Sequence, residues 1–266
     1  MSSDVPNNFE DRLRQRASTT RNTNTNTLET IPVNHQPHEN IPNTPLAASM
    51  ISFVLGCIFS LGLALFLTGG ISDHWWATYQ LGFFLAAWSG FHWGEFAVTA
   101  GWNRDKCSVD SFLLDNGAMY HVANGTALVE YLITLYFKPS LKAYHYISTI
   151  GVIMAVIGQT LRASAMIQAS TNFSHIVALR KLPSHRLVTD GVYSAFRHPS
   201  YAGFFYWALG TQLVLQNPIS SIGFVLVLWR FFSRRIKVEE RALVNFFGEE
   251  YDNYRRRVNT NIPFIR

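Results

Sequence analysis

Hydrophobic positions gather into long runs separated by short polar stretches, and windows of about 20 apolar residues mark candidate membrane helices. The first runs from Leu46 to Thr68 and carries no charge. The second, about Trp76 to Gly101, is interrupted by His92 and Glu95. The third, Met119 to Phe137, holds Glu130, and the fourth, Leu141 to Ala169, holds Arg162 near its end. A polar stretch follows, then two shorter windows, Tyr201 to Gln216 and Ile219 to Phe232. Asn217-Pro218 divides them, because the residue before a proline is pushed out of the helical region. Each is short for an independent span, so the pair reads as a tight helical hairpin or as two short spans. The pattern predicts an all-α integral membrane protein with about six transmembrane helices, the last two a short hairpin. Its expected divisions are a polar tail over 1–45, a four-helix region over 46–169, and a C-terminal region over 170–266 containing the hairpin (201–232) and a cytosolic helix.

Composition changes this picture at the N-terminus. The chain is 48% hydrophobic, yet its mean hydropathy is only +0.07. Residues 1–45 account for the difference: they are rich in Asn, Thr and Pro and contain no apolar run. Such a segment buries too little surface to offset its ordering entropy and is expected to be disordered. It has no apolar core of a signal peptide. The two cysteines, Cys57 and Cys107, exclude a disulfide framework and a cysteine-based zinc site. No C-terminal CaaX box is present, so the chain is not itself a prenylation substrate.

The net charge of +5 raises the question of a nucleic-acid binder. The basic residues instead cluster at the ends of apolar runs, which is a topology signal rather than a nucleic-acid footprint. The loop 69–75 has no Lys or Arg, 102–115 has Arg104 and Lys106, and 170–201 has Arg180, Lys181, Arg186 and Arg197. Nine more lie beyond Trp229. The positive-inside rule places both termini and the 170–201 stretch in the cytosol. Lys138 and Lys142 count against it, since their turn would face the other side. The sequons at Asn124 and Asn172 fall in or beside membrane or cytosolic segments, which disfavours glycosylation.

Among intramembrane polar residues, His92, Glu95 and Glu130 read first as hydrogen-bonding partners of neighbouring helices. Ionisable groups at such depth are expensive and often functional, which keeps a second role open. Gly90 and Gly94, four apart, suggest a close-packing face. His175, His185 and His198 lie near the cytosolic surface, but their spacing matches no helical zinc motif, so no metal site is expected. Neither a Rossmann nor a P-loop glycine pattern occurs. Arg235 and Glu239 are four apart and share a helix face. As a solvated pair they would contribute roughly a few tenths of a kcal/mol. Leu243 to Val258 is amphipathic and ends in Arg255-Arg256-Arg257, which suits an anionic cytosolic leaflet.

Several stretches recur together in one order: NFSH (172–175), HRLVTDGVYSAFRHPSYAGFFYWALGTQ (185–212), NP (217–218), RRIKVEE (234–240), FFGEEYDNY (246–254) and IPFI (262–265). Upstream, FHWGEFAVTA (91–100) and DSFLLDNGAMY (110–120) join them. Taken together, from about Ser89 to the C-terminus, the chain resembles the isoprenylcysteine carboxyl methyltransferase family, and among its members the shorter, six-helix ones. The R-H-P-x-Y and E-E elements alone are less specific, since membrane methyltransferases acting on phospholipids carry them too. The resemblance implies an enzyme of the endoplasmic reticulum membrane. It would transfer a methyl group from S-adenosylmethionine to the α-carboxylate of an S-prenylated C-terminal cysteine, leaving S-adenosylhomocysteine. Its partners would be prenylated CaaX proteins after removal of their last three residues, and membrane lipid, with no nucleic acid.

The resemblance also implies a cytosolic C-terminal cofactor-binding region. Its residues would be Ala178, His185, Arg186, Leu187, Val188, Tyr193, His198, Pro199, Ser200, Tyr201 and Glu239. Ala178 has no polar side chain and could offer only backbone or van der Waals contact. Arg235, an always-charged planar fork, is the expected partner of the substrate carboxylate. The prenyl chain would pass among aromatics such as Phe204, Phe205, Tyr206 and Trp207. An ionised carboxylate attacks the sulfonium methyl in line without a general base, so alignment would carry catalysis. Two other readings stay open at this stage. A phospholipid N-methyltransferase would share the cofactor motif, although Arg235 would repel an ammonium headgroup. A transporter would place polar residues along several helices, commonly with internal repeats, and no repeat is seen.

Overall fold

A computed structural model describes residues 41–178, 180–183 and 185–265. The expectation of disorder for the polar tail falls, over residues 1–40, outside the described residues. The described chain is all-α apart from two isolated bridges, Gly70 with Thr78 and Ile262 with Ile265. Its helices are α1 (Pro45–Leu67), α2 (Tyr79–Trp102), α3 (Ala118–Phe137), α4 (His145–Ala169), α5 (Pro199–Leu215), α6 (Pro218–Phe247) and α7 (Glu249–Arg257). Short 3-10 turns join them. Among the described residues, α1 and α4 (with the turn that carries α4 to Asn172) are long and apolar enough to cross a bilayer. The other long helices carry polar or charged residues that bond neighbouring elements.

Local chemistry sets the helix starts. Thr44 caps α1 by accepting from the Ala47 N–H (3.2 Å), and Pro45 follows in the first turn, where a missing N–H costs nothing. Thr78 caps α2 in the same way through Leu81, so this helix begins three residues after the expected Trp76. The fourth helix starts at His145 rather than Leu141, because Pro139–Lys142 forms a separate turn. The last window extends well past Phe232: α6 runs unbroken to Phe247, so apolar and charged halves form one rod. The predicted amphipathic helix from Leu243 is interrupted at Gly248, whose φ of 54° lies in the left-handed region, and resumes as α7.

Close backbone approach joins α4 to α5. A Cβ on Gly158 would lie 2.5 Å from the Trp207 nitrogen, and one on Gly203 would lie 2.6 Å from the Gly158 carbonyl. Gly151 and Gly210 repeat the arrangement one heptad away. Without a hydrophobic drive between helices in lipid, such small-residue contacts supply the dispersion that holds a bundle together. The Gly90/Gly94 pair does not do this: it faces the Phe59 ring and the Gln159 side chain, not a backbone.

The tip of the α5–α6 hairpin is clamped from both sides. Lys142 is buried, and its Nζ donates to the carbonyls of Leu215 (3.0 Å) and Gln216 (2.9 Å) and to Asn217 Oδ1 (2.8 Å). A cation therefore satisfies the orphan carbonyls at the end of α5. Glu130 accepts from the backbone N–H groups of Ile219 (3.0 Å) and Ser220 (2.6 Å), so an anion caps α6. Lys142 is thus a buried cap, not a loop charge that bears on orientation. His92 is likewise a bonding group: its Nδ1 donates to the Phe112 carbonyl (2.7 Å), and its Nε2 accepts from Tyr120 (2.9 Å).

Candidate active site

At the opposite end of the hairpin two cavities meet. The larger, about 420 Å³, is almost wholly apolar and runs between α3, α5 and α6. Its α6 wall is a stripe from Ile219 and Ser220 through Gly223, Val227 and Phe231 to Arg235. Phe204 and Trp207 of α5 line it, whereas Phe205 and Tyr206 are not among its walls. Polar groups gather at its head, where Arg162, His175 and Arg235 converge. The smaller cavity, about 130 Å³, lies toward the loop residues Arg186, Leu187 and Val188 and is more polar. Phe173, Ser174, Ser200 and Tyr201 line both, so the two share a wall.

The expected cofactor residues fall mostly on the smaller cavity. Arg186, Leu187, Val188, Tyr193, His198, Pro199, Ser200, Tyr201 and Glu239 all line it. Ala178 and His185 do not: Ala178 is exposed, and His185 sits beside Phe246 with its Nδ1 near the Leu182 N–H (3.4 Å). Pro199 occupies the first turn of α5, directly after His198. It thereby aims the helix start, with Ser200 and Tyr201, at the boundary between the cavities. Arg235 belongs to the larger cavity, on the other side of Tyr201 from Glu239.

Tyr201 links the two sides. Its hydroxyl accepts from Arg235 Nε (2.8 Å) and donates to Glu239 Oε2 (2.5 Å). Arg235 Nη2 also donates to the His175 carbonyl, and its guanidinium lies over the Tyr201 ring. These bonds orient the fork and leave further N–H groups for a ligand. Glu240, next along α6, points elsewhere because successive residues diverge by about 100° around a helix. Its carboxylate takes Arg197 Nε (2.6 Å) and His198 Nε2 (3.2 Å). Burial raises the Glu240 pKa, but the His198 hydrogen bond and the Arg197 charge outweigh it and hold the group below the usual range. Arg197 also donates to the carbonyls of Arg255 and Val258, tying α7 to the start of α5.

Sequence reasoning underrated several groups. Arg162 is buried and forms a two-point pair with Glu95 (2.5 and 2.7 Å) while donating to Ser200 Oγ (2.9 Å). The pair fixes α2, α4 and the head of the larger cavity to one another. Its signal was present as two opposite charges inside apolar windows. His175, the last residue of the NFSH stretch but not among the expected site residues, lines the cavity head, and its Nδ1 faces Glu95 Oε2 at 3.8 Å. Burial, with Arg162 and Arg235 nearby, pushes it down to about 4, so it is neutral at pH 7. Tyr251 and Tyr254, three apart on α7, bring phenols into the smaller cavity. The Tyr251 hydroxyl is buried without a hydrogen-bond partner among the described residues.

The chain as a whole is similar to known proteins. A family model described as the isoprenylcysteine carboxyl methyltransferase family matches residues 151–245. Protein-S-isoprenylcysteine O-methyltransferase of Xenopus laevis is 44% identical over 221 residues, 83% of this chain and 73% of that protein. The protein of the same name from Saccharomyces cerevisiae is 40% identical over 235 residues, 86% of this chain and 95% of its own length. A solved structure of the eukaryotic intramembrane Ras methyltransferase, without a monobody, is similar with a TM-score of 0.75 and 36% identity. That similarity covers 83% of this chain and 82% of the solved one.

Proposed function

The chain belongs to the isoprenylcysteine carboxyl methyltransferase family, and on that premise we propose how its two joined cavities divide the work. The enzyme methylates the C-terminal α-carboxylate of S-prenylated cysteine in CaaX-processed proteins, with S-adenosylmethionine as donor. S-adenosylmethionine supplies a methyl group carried on a sulfonium and leaves as S-adenosylhomocysteine. The smaller cavity suits such a group by its donor set and by one orphaned atom, the buried Tyr251 hydroxyl. Glu239 would accept from its ammonium or a hydroxyl. Leu187, Val188 and Leu243 would flank its base, and Arg186, Tyr193, His198, Pro199, Ser200 and Tyr201 would complete the wall. Ala178 and His185 lie outside this wall.

The larger cavity takes the prenyl chain. Its apolar lining suits a lipid tail, and its mouth between α3 and α6 is flanked by exposed Met119, Val122, Val227 and Phe231. A lipid can therefore enter sideways from the bilayer. At the head of this cavity Arg235 meets the substrate carboxylate, held in place by Tyr201 and the His175 carbonyl. An α-carboxyl with a pKa of about 3.5 is ionised at neutral pH, so no base is needed. Arg235 orients rather than fully neutralises the nucleophile, because part of its fork is already engaged. The shared wall at Ser200 and Tyr201 brings the reacting groups together while keeping lipid and cofactor apart. That shared wall is the observation that carries the assignment.

For topology we infer six spans, α1 to α6, with both termini cytosolic and the protein in the endoplasmic reticulum membrane. Burial of Lys142 as a helix cap supports this orientation, because it removes one of the two charges that opposed it. Residues 46–169 then form the four-helix scaffold and 170–266 the catalytic region. Arg235 also weighs against a phospholipid amine as acceptor, since a cation beside an ammonium is repulsive. The test uses membranes containing the protein, radiolabelled S-adenosylmethionine, and N-acetyl-S-farnesylcysteine beside phosphatidylethanolamine. Base-labile methyl ester should form on the farnesylcysteine and fall by about two orders of magnitude or more in Arg235→Ala, with S-adenosylhomocysteine binding retained. Label in the phospholipid would overturn the assignment.

A further inference from the structure

The α6 wall of the larger cavity presents side chains at helical spacing, with one gap. Gly223 lines the cavity, and a Cβ built on it meets nothing within 4 Å. The stripe runs from Arg235 to Ile219, sixteen residues, or about 24 Å of helix rise. Gly223 lies twelve residues from Arg235, about 18 Å down that wall. The far end is more polar: Ser220 Oγ is buried without a partner among the described residues, and Glu130 holds the adjacent backbone.

A prenyl chain can be measured against this ruler. One isoprene unit spans about 5 Å, the rise of roughly three helical residues. The stretch from carboxylate to sulfur adds about as much. A farnesyl group anchored at Arg235 therefore ends roughly 20 Å down, near Gly223, and the fourth unit of a geranylgeranyl group fills the remaining turn to Ile219 and Ser220. We propose that Gly223 is a length-determining residue: the space left by its missing side chain admits the fourth isoprene unit. The proposal rests on the reading that the prenyl chain occupies this cavity. The site opens onto the bilayer, so a larger residue here has room, and alanine, leucine and phenylalanine each have higher helix propensity than glycine.

The experiment compares N-acetyl-S-farnesylcysteine with N-acetyl-S-geranylgeranylcysteine as acceptors for Gly223→Ala, Gly223→Leu and Gly223→Phe. The kcat/KM ratio of the longer to the shorter substrate should fall in that order, by about tenfold or more for the phenylalanine variant. Ile222→Phe, facing lipid beside the stripe, should leave the ratio unchanged. A ratio that stays constant across the Gly223 series, whether or not absolute activity changes, overturns the proposal. Val227→Trp separates this from failure of the underlying reading. It blocks the cavity about 12 Å from Arg235 and should impair both substrates. If Val227→Trp impairs both while the Gly223 series leaves the ratio constant, only the length assignment fails. If Val227→Trp affects neither substrate, the cavity does not hold the prenyl chain.

Discussion

The two ends of the α5–α6 hairpin both hold charged side chains at membrane depth or its margin, yet they use them differently. At the tip, Lys142 donates to backbone carbonyls of the turn and Glu130 accepts from its backbone N–H groups. At the mouth, Arg235 and Glu239 share one bridging hydroxyl, Tyr201, and, apart from the Arg235 bond to the His175 carbonyl, face the two cavities. Intramembrane charge alone therefore does not mark function. What distinguishes the ends is whether the protein itself consumes the group's hydrogen-bonding capacity. A saturated charge closes a helix end, whereas a partly engaged one is available to a ligand.

The contrast is open to test, from the largest effect to the smallest. Glu95→Ala would leave Arg162 buried and unpaired beside the mouth, which costs about 3–5 kcal/mol. Thermal unfolding in detergent should show this loss, with methyl transfer falling alongside it. Glu239→Gln removes a charged acceptor from the smaller cavity. Calorimetry should find S-adenosylhomocysteine binding weakened by about 10- to 100-fold, with the KM for farnesylcysteine little changed. Lys142→Met and Glu130→Gln, at the saturated end, should each lower stability by about 1–3 kcal/mol while leaving kcat within twofold at low temperature. A large kcat loss with stability intact would break the distinction between the ends.

The smallest effect concerns pH. His175 is pushed down to about 4 when folded, against an ordinary value near 6.5. Below the ordinary value the unfolded chain takes up a proton that the folded chain resists, so stability is lost as pH falls from about 6.5 toward 4. Unfolding midpoints should drop through that window, and His175→Asn should flatten the drop. Between pH 7 and 9 single-turnover rates should stay flat, because no base titrates in a direct carboxylate attack.

Legibility followed range. The apolar windows located the long helices to within a few residues, except at the end of α6, because hydrophobicity marks the apolar part of a helix and not the charged half that continues it to Phe247. The caps that moved their starts, Thr78 and the turn through Lys142, were local chemistry hidden inside apolar or basic runs. Nine of the eleven expected cofactor residues line one cavity, and these sit in the RLV run (186–188), at Tyr193, in the RHPSY run and on the E-E helix, where motif and fold coincide. Ala178 is exposed, and His185 lies near Phe246 of α6, whose carbonyl accepts from Lys181, contacts between distant segments that no local pattern announces.

By itself the sequence determined the all-α character, the order of the helices, and the concentration of chemistry in the last third. These depend on periodicity, proline and glycine placement, and charge position, all of which act along the chain. Tertiary structure alone decided which charges are saturated. Whether Lys142 is a topology signal or a buried cap, and whether Glu239 or Glu240 faces the smaller cavity, depends on what stands opposite each group. That partner comes from a distant segment: Leu215 for Lys142, Tyr201 for Glu239, Arg197 for Glu240. Hydrogen bonds and ion pairs are short-ranged and directional, so only the packed bundle brings the two members of each pair within reach.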